Sequence, residues 1–290
     1  MIKFLKLTWL YALISFIVIA SGMYSLVRYG FHYSIDFVGG TDIEYQLDKK
    51  AEVKSINQIL NENKINYSSV KLDQNHLTLK TKPIDEKQEA TLRTSLESKL
   101  KIKIKSLRFE TVGPVIGKET MQKTMIAALL AVLGILAYMS FAFKGFNFAL
   151  AAILAMIHDF LVVIGTYSIF SHFFGAEVDT MFVTAVLTTM SFSVHDTIII
   201  FDKIREYFKN EGKTGDIELL ADRALTETLV RSLNNSMTII FMLLALTLLG
   251  GTTIKFFVAT LLVGTITGTY SSPFVATPIL VWLEKNKAKK

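Results

Sequence analysis

Residues 180–201 read TMFVTAVLTTMSFSVHDTIIIF, an apolar run interrupted by one His–Asp pair. A helix of about 20 mostly apolar residues is long enough to cross the hydrocarbon core of a bilayer. Five further runs of this kind are found at residues 8–28, 122–143, 146–170, 233–250 and 255–283, of which only 233–250 is short. The composition, 51% hydrophobic and 19% charged, also favours a membrane protein. The sequence therefore predicts a polytopic α-helical membrane protein with six transmembrane helices.

The first run begins after Lys3 and Lys6 and so resembles a signal peptide, with small residues at 20–22 that would suit cleavage. The apolar run at 7–27 is longer than the roughly 7 to 15 residues of a signal-peptide core. We therefore expect an uncleaved anchor whose amino terminus stays in the cytoplasm.

Basic residues are concentrated in the segment 202–231 and in the tail 285–290, whereas the loop 171–180 has no Lys or Arg. Cytoplasmic loops carry the excess of Lys and Arg in membrane proteins. Together with Lys144 and the lysines near the amino terminus, this pattern places both termini in the cytoplasm. The net charge of +6 then follows from membrane topology, and no nucleic-acid partner is predicted.

The predicted organisation has four parts. They are a cytoplasmic amino terminus with the first transmembrane helix (1–29), an exported domain (30–117), transmembrane helices two to six with a cytoplasmic loop at 202–232 (118–284), and a basic cytoplasmic tail (285–290).

Within the exported domain the pattern changes to short alternating strands and amphipathic helices. We predict strands at 41–47, 67–73, 76–82 and 103–112, and helices at 52–63 and 83–99. This is the βαββαβ order of ferredoxin-like domains, which host many unrelated functions.

No enzymatic motif is found in the sequence. There is no Ser-His-Asp order, no His-Glu-x-x-His, and no paired carboxylates in the exported domain. The segment 113–118 resembles a P-loop, but it is one residue too short and Glu119 stands where Ser or Thr is needed. We interpret Gly113 and Pro114 instead as a hinge before the second span. No metal site and no cofactor are predicted, and without Cys no disulfide can form.

Two His–Asp pairs lie inside predicted spans, His158 with Asp159 and His195 with Asp196. Ionisable groups within membranes cost about 2.5 to 3.5 kcal/mol each on insertion scales, so they usually face the protein interior and mark functional paths. Adjacent helical residues point about 100° apart, so neither His need face its neighbouring Asp.

Polar residues recur at helical spacing in two neighbouring spans: Thr189, Ser193 and Asp196 in the fourth, and Arg231, Asn234 and Thr238 in the fifth. We expect Asp196 and Arg231 to meet and to act as a proton relay; a structural ion pair is the alternative. The sequence also predicts a close helix contact at Gly264 and Gly268, and an amphipathic helix at 216–233 on the inner membrane surface.

Several motifs together resemble one known family. They are IDFVGGT at 35–41, VGPVIG at 112–117, SVHDT at 193–197 followed by IFDKIRE at 200–206, and Arg231 followed by Asn234, Asn235 and Ser236. These motifs resemble the SecD/SecF family of bacterial protein-export membrane proteins, which is part of the RND superfamily. The resemblance covers nearly the whole chain in the same order and topology.

The resemblance implies six spans that form half of an RND-type bundle in the bacterial cytoplasmic membrane. It implies an accessory subunit of the Sec translocase that works with SecD and uses the proton-motive force. The implied partners are SecD, the SecYEG translocon, YajC, the translocating preprotein and membrane lipids, with protons as the coupling ion.

The resemblance also implies roles for particular residues. Asp196 and Arg231 would be the proton-coupling pair, and we add Asp159 and His195 as further ionisable groups of that region. The residues at the base of the exported domain would be Asp36, Gly39, Gly40, Thr41, Gly113 and Pro114.

The sequence departs from the family pattern at two positions. His195 stands where Asn is more usual, which puts a second titratable group beside Asp196, and Lys203 stands where Arg is more usual. Two alternative functions remain: a subunit of an RND-type exporter of small molecules or lipids, and a non-energised scaffold of a membrane complex.

Overall fold

The computed structural model describes residues 4–143, 145–211 and 216–288. The chain divides into two compact units. The bundle unit comprises Met1–His32 and Ala127–Lys290, and the βαββαβ domain comprises Tyr33–Ile126.

The helices, in chain order, are α1 (Thr8–Tyr29), α2 (Ile35–Val38), α3 (Val53–Glu62), α4 (Glu86–Leu100), α5 (Pro114–Ala142), α6 (Phe146–Phe174), α7 (Thr180–Glu211), α8 (Ile217–Leu249), α9 (Lys255–Ser271) and α10 (Thr277–Ala288). The strands are β1 (His32–Tyr33), β2 (Gly40–Leu47), β3 (Tyr67–Asp73), β4 (His76–Thr81), β5 (Ile104–Val112) and β6 (Glu177–Val178). Short 3-10 turns precede α1 and α9, and a π-helical turn, Ser272–Ala276, joins α9 to α10.

Within the described part of the chain, six helical segments are long and apolar enough to cross a membrane. They are Phe4–Tyr29, Pro114–Ala142, Phe146–Phe174, Thr180–Asn210, Ile217–Leu249 and Thr252–Lys287. The six predicted spans are therefore confirmed.

Two span boundaries differ from the prediction. Helix α5 begins at Pro114, eight residues before the predicted start, because proline suits the first position of a helix, where no N–H partner is needed. The helix predicted at 216–233 is present, but it is not distinct from the fifth span, since α8 runs without a break from Ile217 to Leu249. Its amino-terminal half buries Leu220, Ala224 and Leu225 inside the protein.

The last span is interrupted where α9 meets α10. Pro273 has no backbone N–H, and a π-helical turn accommodates it. The hydroxyl of Thr277 donates a 3.0 Å hydrogen bond to the Ser272 carbonyl oxygen across this turn. The break leaves the hydroxyl-bearing residues around Ser272 within the bundle interior.

Glycines allow the helices of the bundle to approach closely. A Cβ atom added at Gly165 of α6 would lie 2.8 Å from the Gly22 Cα of α1, and one added at Gly268 of α9 would lie 3.0 Å from the Ser193 Cα of α7. A Cβ atom at Gly264 would overlap the side chain of Thr189. The predicted close contact at Gly264 and Gly268 is confirmed, and it lies against the polar face of α7.

The βαββαβ domain has one antiparallel sheet with the strand order β3-β4-β2-β5. The element order is the one predicted from the sequence. Helices α3 and α4 contribute Ile56, Leu60, Leu92 and Leu96 to a core that also contains alternate residues of β2 and β4. One polar pair is buried in this domain, where the Tyr45 hydroxyl donates a 2.8 Å hydrogen bond to Glu89 Oε1.

Candidate functional site

Asp196 lies on the buried face of α7 and is 1% exposed. Its Oδ2 accepts a 2.9 Å hydrogen bond from the Ser232 hydroxyl of α8. Its Oδ1 is buried and receives no hydrogen bond of normal geometry among the described residues. The buried Ser236 hydroxyl, one turn along α8, interacts with this carboxylate but likewise forms no hydrogen bond of normal geometry. The carboxylate is therefore only partly satisfied within the bundle.

The predicted contact between Asp196 and Arg231 is not formed. Arg231 is exposed on α8, and no ion pair joins it to Asp196 in the part of the chain that the structure describes. The neighbouring residue, Ser232, makes the contact instead, because adjacent residues of a helix point about 100° apart. The expected meeting of the two helices is correct, but the residue of α8 that reaches the carboxylate was predicted wrongly.

His195 is exposed on α7, although Asp196 beside it is buried. Arg231, Asn234, Asn235 and Thr238 are likewise exposed on α8. The polar stripe predicted for the fifth span thus exists, but it faces away from the interior of this chain.

Asp159 of α6 lies in a second, fully bonded environment and is 3% exposed. His158 Nδ1 lies 2.8 Å from Asp159 Oδ1. The hydroxyl of Ser271 on α9 donates to Asp159 Oδ2 at 2.7 Å, and the hydroxyl of Ser193 on α7 donates to the same oxygen. In contrast to Asp196, both oxygens of this carboxylate have partners: Oδ1 is bonded to His158 on the same helix, and Oδ2 is bonded to hydroxyls of two other helices.

The hydrogen-bonded network continues from His158 to α1. The Tyr270 hydroxyl of α9 lies 3.2 Å from His158 Nε2, and it is also hydrogen-bonded to the Ser15 hydroxyl of α1. The adjacent residues His158 and Asp159 are thus joined to α9 and α1 through Tyr270 and Ser15, two residues that the sequence analysis did not predict to be part of the site.

Ser193 connects the two acidic centres along α7. It bonds Asp159 and lies one turn before Asp196 on the same helix. Thr197, also on this face, shares a 2.9 Å hydrogen bond with the Ser272 hydroxyl at the break in the last span. The stripe at Thr189, Ser193 and Asp196 is buried, as its helical spacing predicted.

Ser232, Ser271, Tyr270 and Ser15 are the contact residues that sequence reasoning missed. Hydroxyl residues are common on all faces of membrane helices, where they bond the carbonyl of the preceding turn. Ser232 could have been found from its place on the α8 helix beside Arg231, once both neighbours were considered as partners for Asp196.

At the base of the βαββαβ domain, Gly39 and Gly40 are required by the backbone. Gly39 has a φ of 75°, and a Cβ atom there would lie 2.8 Å from Pro114 Cα. Gly40 has a φ of 140°, and a Cβ atom there would lie 2.9 Å from the Thr81 carbonyl oxygen. Gly113 differs, since a Cβ atom there meets nothing within 4 Å.

The other residues of this base fix its strands. Thr41 Oγ1 accepts a 2.9 Å hydrogen bond from the Ile84 backbone N–H and lies 2.9 Å from Thr111 Oγ1. Asp36 is the second residue of α2, whose N-cap is Ser34; the Ser34 hydroxyl accepts from the Asp36 backbone N–H at 3.2 Å. Pro114 begins α5 directly after β5 and Gly113. These residues shape the junction between the strands and α5.

No group of three or more potential metal ligands is found in the residues that the structure describes. The polar groups buried in the bundle are carboxylates, an imidazole and hydroxyls. Ionisable groups buried within a membrane bundle mark ion or substrate pathways. The fold and these groups together define an integral membrane protein of the transport class.

Comparisons with known proteins identify the family. Residues 91–286 match the family model "Protein export membrane protein SecD/SecF, C-terminal", and residues 24–51 match the "SecD/SecF GG Motif". The protein translocase subunit SecF of Thermobaculum terrenum is 40% identical over 96% of this chain and 93% of its own length. The chain thus belongs to the SecD/SecF family of protein-export membrane proteins.

A longer relative contains this chain's counterpart as one part. The protein translocase subunit SecDF of Thermus thermophilus is 33% identical over 90% of this chain but only 36% of its own length. The crystal structure of a Thermus thermophilus SecDF matches 98% of this chain and 39% of that chain, with a TM-score of 0.84 and 29% sequence identity. The fold described above is therefore that of the SecF-like portion of such a protein.

Proposed function

We propose that this chain is an accessory subunit of the Sec translocase that works with SecD and uses the proton-motive force to promote export of preproteins. The observation that carries the proposal is Asp196, a carboxylate buried inside a membrane-length helix with one oxygen bonded to Ser232 and the other receiving no hydrogen bond of normal geometry among the described residues. Such a carboxylate can take up a proton without first breaking a bond at that oxygen.

Protonation of Asp196 changes the contact between α7 and α8. The charged carboxylate accepts from Ser232. A protonated carboxyl group has lost its charge and gained an O–H donor, so its preferred partners and its packing are different. Moving one charge across the membrane is worth about 2.3 kcal/mol per 100 mV, which is enough to shift an equilibrium between two states separated by a few kcal/mol.

The exposed polar stripe of α8 supports a second half-bundle as partner. Arg231, Asn234, Asn235 and Thr238 are exposed on a membrane-length helix, and His195 is exposed on α7. Such groups are costly against lipid, so they favour a neighbouring protein surface. Because the matching part of SecDF is about two-fifths of that chain, we assign this surface to SecD. Arg231 then takes part in proton coupling across the interface, without a direct contact to Asp196 inside this chain.

The same proposal sets the orientation and the remaining partners. Both termini lie in the cytoplasm, the βαββαβ domain is exported, and the chain lies in the bacterial cytoplasmic membrane. The SecYEG translocon, YajC and the travelling preprotein are the other proposed partners.

The experiment compares Asp196→Asn with the wild-type chain in cells that secrete a reporter, with and without a proton gradient. We expect the gradient to accelerate export in the wild type and to have no effect in Asp196→Asn. Glu218→Gln is the matched control, because it neutralises an exposed carboxylate on α8. Export by Asp196→Asn that still responds to the gradient would contradict proton coupling and favour a non-energised scaffold. If the reporter is unaffected but export of a lipid or small molecule is lost, the exporter alternative is correct.

A further inference from the structure

Five side chains from four helices form one continuous hydrogen-bonded chain inside the bundle, which we call the buried relay. Its members, in order, are Ser15 of α1, Tyr270 of α9, His158 and Asp159 of α6, and Ser193 of α7. Four of the five are buried to more than nine-tenths. The coupling through Asp196 described above makes no use of His158, Tyr270 or Ser15.

The relay has two possible directions of hydrogen bonding. With a neutral His158 whose Nδ1–H donates to Asp159, Nε2 accepts from the Tyr270 hydroxyl, and Tyr270 accepts from the Ser15 hydroxyl. If a proton from solvent is added at Nε2, that N–H donates to the Tyr270 oxygen and the Tyr270 hydroxyl turns to Ser15. The Ser15 hydroxyl then turns to a carbonyl of the preceding turn of α1, as serine hydroxyls in helices commonly do.

One proton is taken up in this change, and no covalent bond between heavy atoms is formed or broken. Every polar atom of the relay has a partner before and after the proton arrives.

We propose that His158 is a second proton-binding group of the bundle, and that Asp159 and Ser193 couple its charge to Asp196. This inference rests on the proposed function. Among the described residues, the titratable groups in contact with His158 are Asp159 on its own helix and Tyr270 on α9. Helices α1 and α7 contribute uncharged hydroxyls, those of Ser15 and Ser193.

The coupling follows from the place of Ser193 on α7. Its hydroxyl is bonded to Asp159, and it lies one turn before Asp196 on the same buried face. A change in charge at the His158–Asp159 pair alters the strength of the Ser193 bond, because hydrogen bonds to charged groups are about twice as strong as neutral ones. The altered bond to Ser193 therefore acts on α7 one turn from Asp196, the residue that contacts α8.

The test uses the full chain co-purified with its partners and reconstituted into vesicles in which a proton gradient drives export. The pH profile of export is measured for the wild type, Tyr270→Phe and His158→Gln. Ser25→Ala is the matched control, because it removes a different buried hydroxyl bond between α1 and α6, the 3.1 Å contact of Ser25 with Ser168. Asp196→Asn is measured in parallel.

We expect Tyr270→Phe to displace the pH profile of export by about one pH unit from the wild-type profile, because the variant removes the hydrogen-bond partner of His158 Nε2. His158→Gln should remove the part of the pH dependence that Tyr270→Phe displaces. The variant that carries both substitutions should behave as His158→Gln alone, because the two residues act together.

Profiles of Tyr270→Phe and His158→Gln that coincide with the wild type, or that move no more than Ser25→Ala, would overturn the role of His158. If Asp196→Asn has lost its response to the gradient in that case, the proposed function stands and only the relay is wrong. An unchanged response in Asp196→Asn would overturn the proposed function and, with it, the coupling between the two centres. Because Tyr270→Phe removes a single oxygen atom, it remains informative if His158→Gln does not assemble.

Discussion

The two units bury different kinds of side chain in their interiors. The core of the βαββαβ domain is a cluster of Ile, Leu and Tyr side chains, and its buried polar pair is Tyr45 with Glu89. The interior of the bundle between α6, α7, α8 and α9 contains two aspartates, a histidine and a series of hydroxyl groups. Water surrounds the domain, so apolar burial stabilises it. Lipid surrounds the bundle, and hydrogen bonds and close packing must hold the helices together there.

The two aspartates of the bundle show a second difference. Asp159 receives hydrogen bonds at both carboxylate oxygens, whereas Asp196 receives one at a single oxygen. The first carboxylate joins three helices, and the second is held loosely between two. This difference leads to the expectation that the first mainly determines stability and the second mainly determines coupling.

Replacement of each aspartate by alanine tests that division and has the largest expected effect. Asp159→Ala leaves His158 Nδ1 and the Ser193 hydroxyl without their acceptor, and leaves Ser271 only its 3.4 Å contact with the Gly268 carbonyl oxygen. We expect a loss of about 3 to 5 kcal/mol in the free energy of unfolding. Asp196→Ala frees one hydroxyl, that of Ser232, which can bond the carbonyl of the preceding turn. We expect it to cost about 1 kcal/mol. Thermal unfolding in detergent measures both, and equal losses would contradict the difference between the two sites.

Close packing in the bundle is tested at Gly165. A Cβ atom there would lie 2.8 Å from the Gly22 backbone, so Gly165→Ala must separate α1 from α6, at an expected cost of about 1 to 3 kcal/mol. Gly134→Ala is the control on α5, since a Cβ atom there meets nothing within 4 Å and alanine favours helix. We expect the control to be neutral or stabilising in the same unfolding measurement. A Gly165→Ala protein as stable as the control would show that the α1–α6 contact is not close.

The sequence was sufficient to predict the six spans and the βαββαβ order. Both depend on local patterns, the length of apolar runs and the alternation of residues in strands. The continuous helix α8 could also have been predicted, because no Gly or Pro occurs between Ile217 and Leu249. The sequence could not show that glycine is required at Gly39 and Gly40 but not at Gly113. The requirement comes from the positive φ angles of Gly39 and Gly40 and from the close approach of Pro114 to Gly39.

Partners of the intramembrane acids were harder to predict. Asp196 and Asp159 were found because a carboxylate is rare within a span. Which side chain of α8 meets Asp196 depends on the rotation of that helix about its axis, and one residue's difference exchanges Arg231 for Ser232. Likewise, the contact of Tyr270 with His158 depends on the position of α9, which approaches α7 closely at Gly264 and Gly268.

The buried polar pair of the βαββαβ domain gives a smaller expected effect than Asp159 or Gly165. Tyr45→Phe removes the hydrogen-bond donor to Glu89 Oε1 and leaves that oxygen only the 3.9 Å ion pair with Arg93. We expect a loss of about 1 to 2 kcal/mol, seen as faster amide hydrogen exchange in β2 and α4. Burial, together with the hydrogen bond to Glu89, raises the pKa of Tyr45 in the folded protein. A raised pKa means that folding favours the neutral phenol. Its contribution to stability is therefore complete below pH 10, the approximate pKa of tyrosine in the unfolded chain, and declines as the pH rises above about 10.

Resistance of the domain to proteolysis should therefore fall above about pH 10 in the wild type and fall less steeply in Tyr45→Phe. Tyr67→Phe, at the partly buried edge of the same core, should keep the steeper fall. The same alkaline decline in both variants would show that Tyr45 does not cause it, and unchanged hydrogen exchange in Tyr45→Phe would show that its bond to Glu89 contributes no stability.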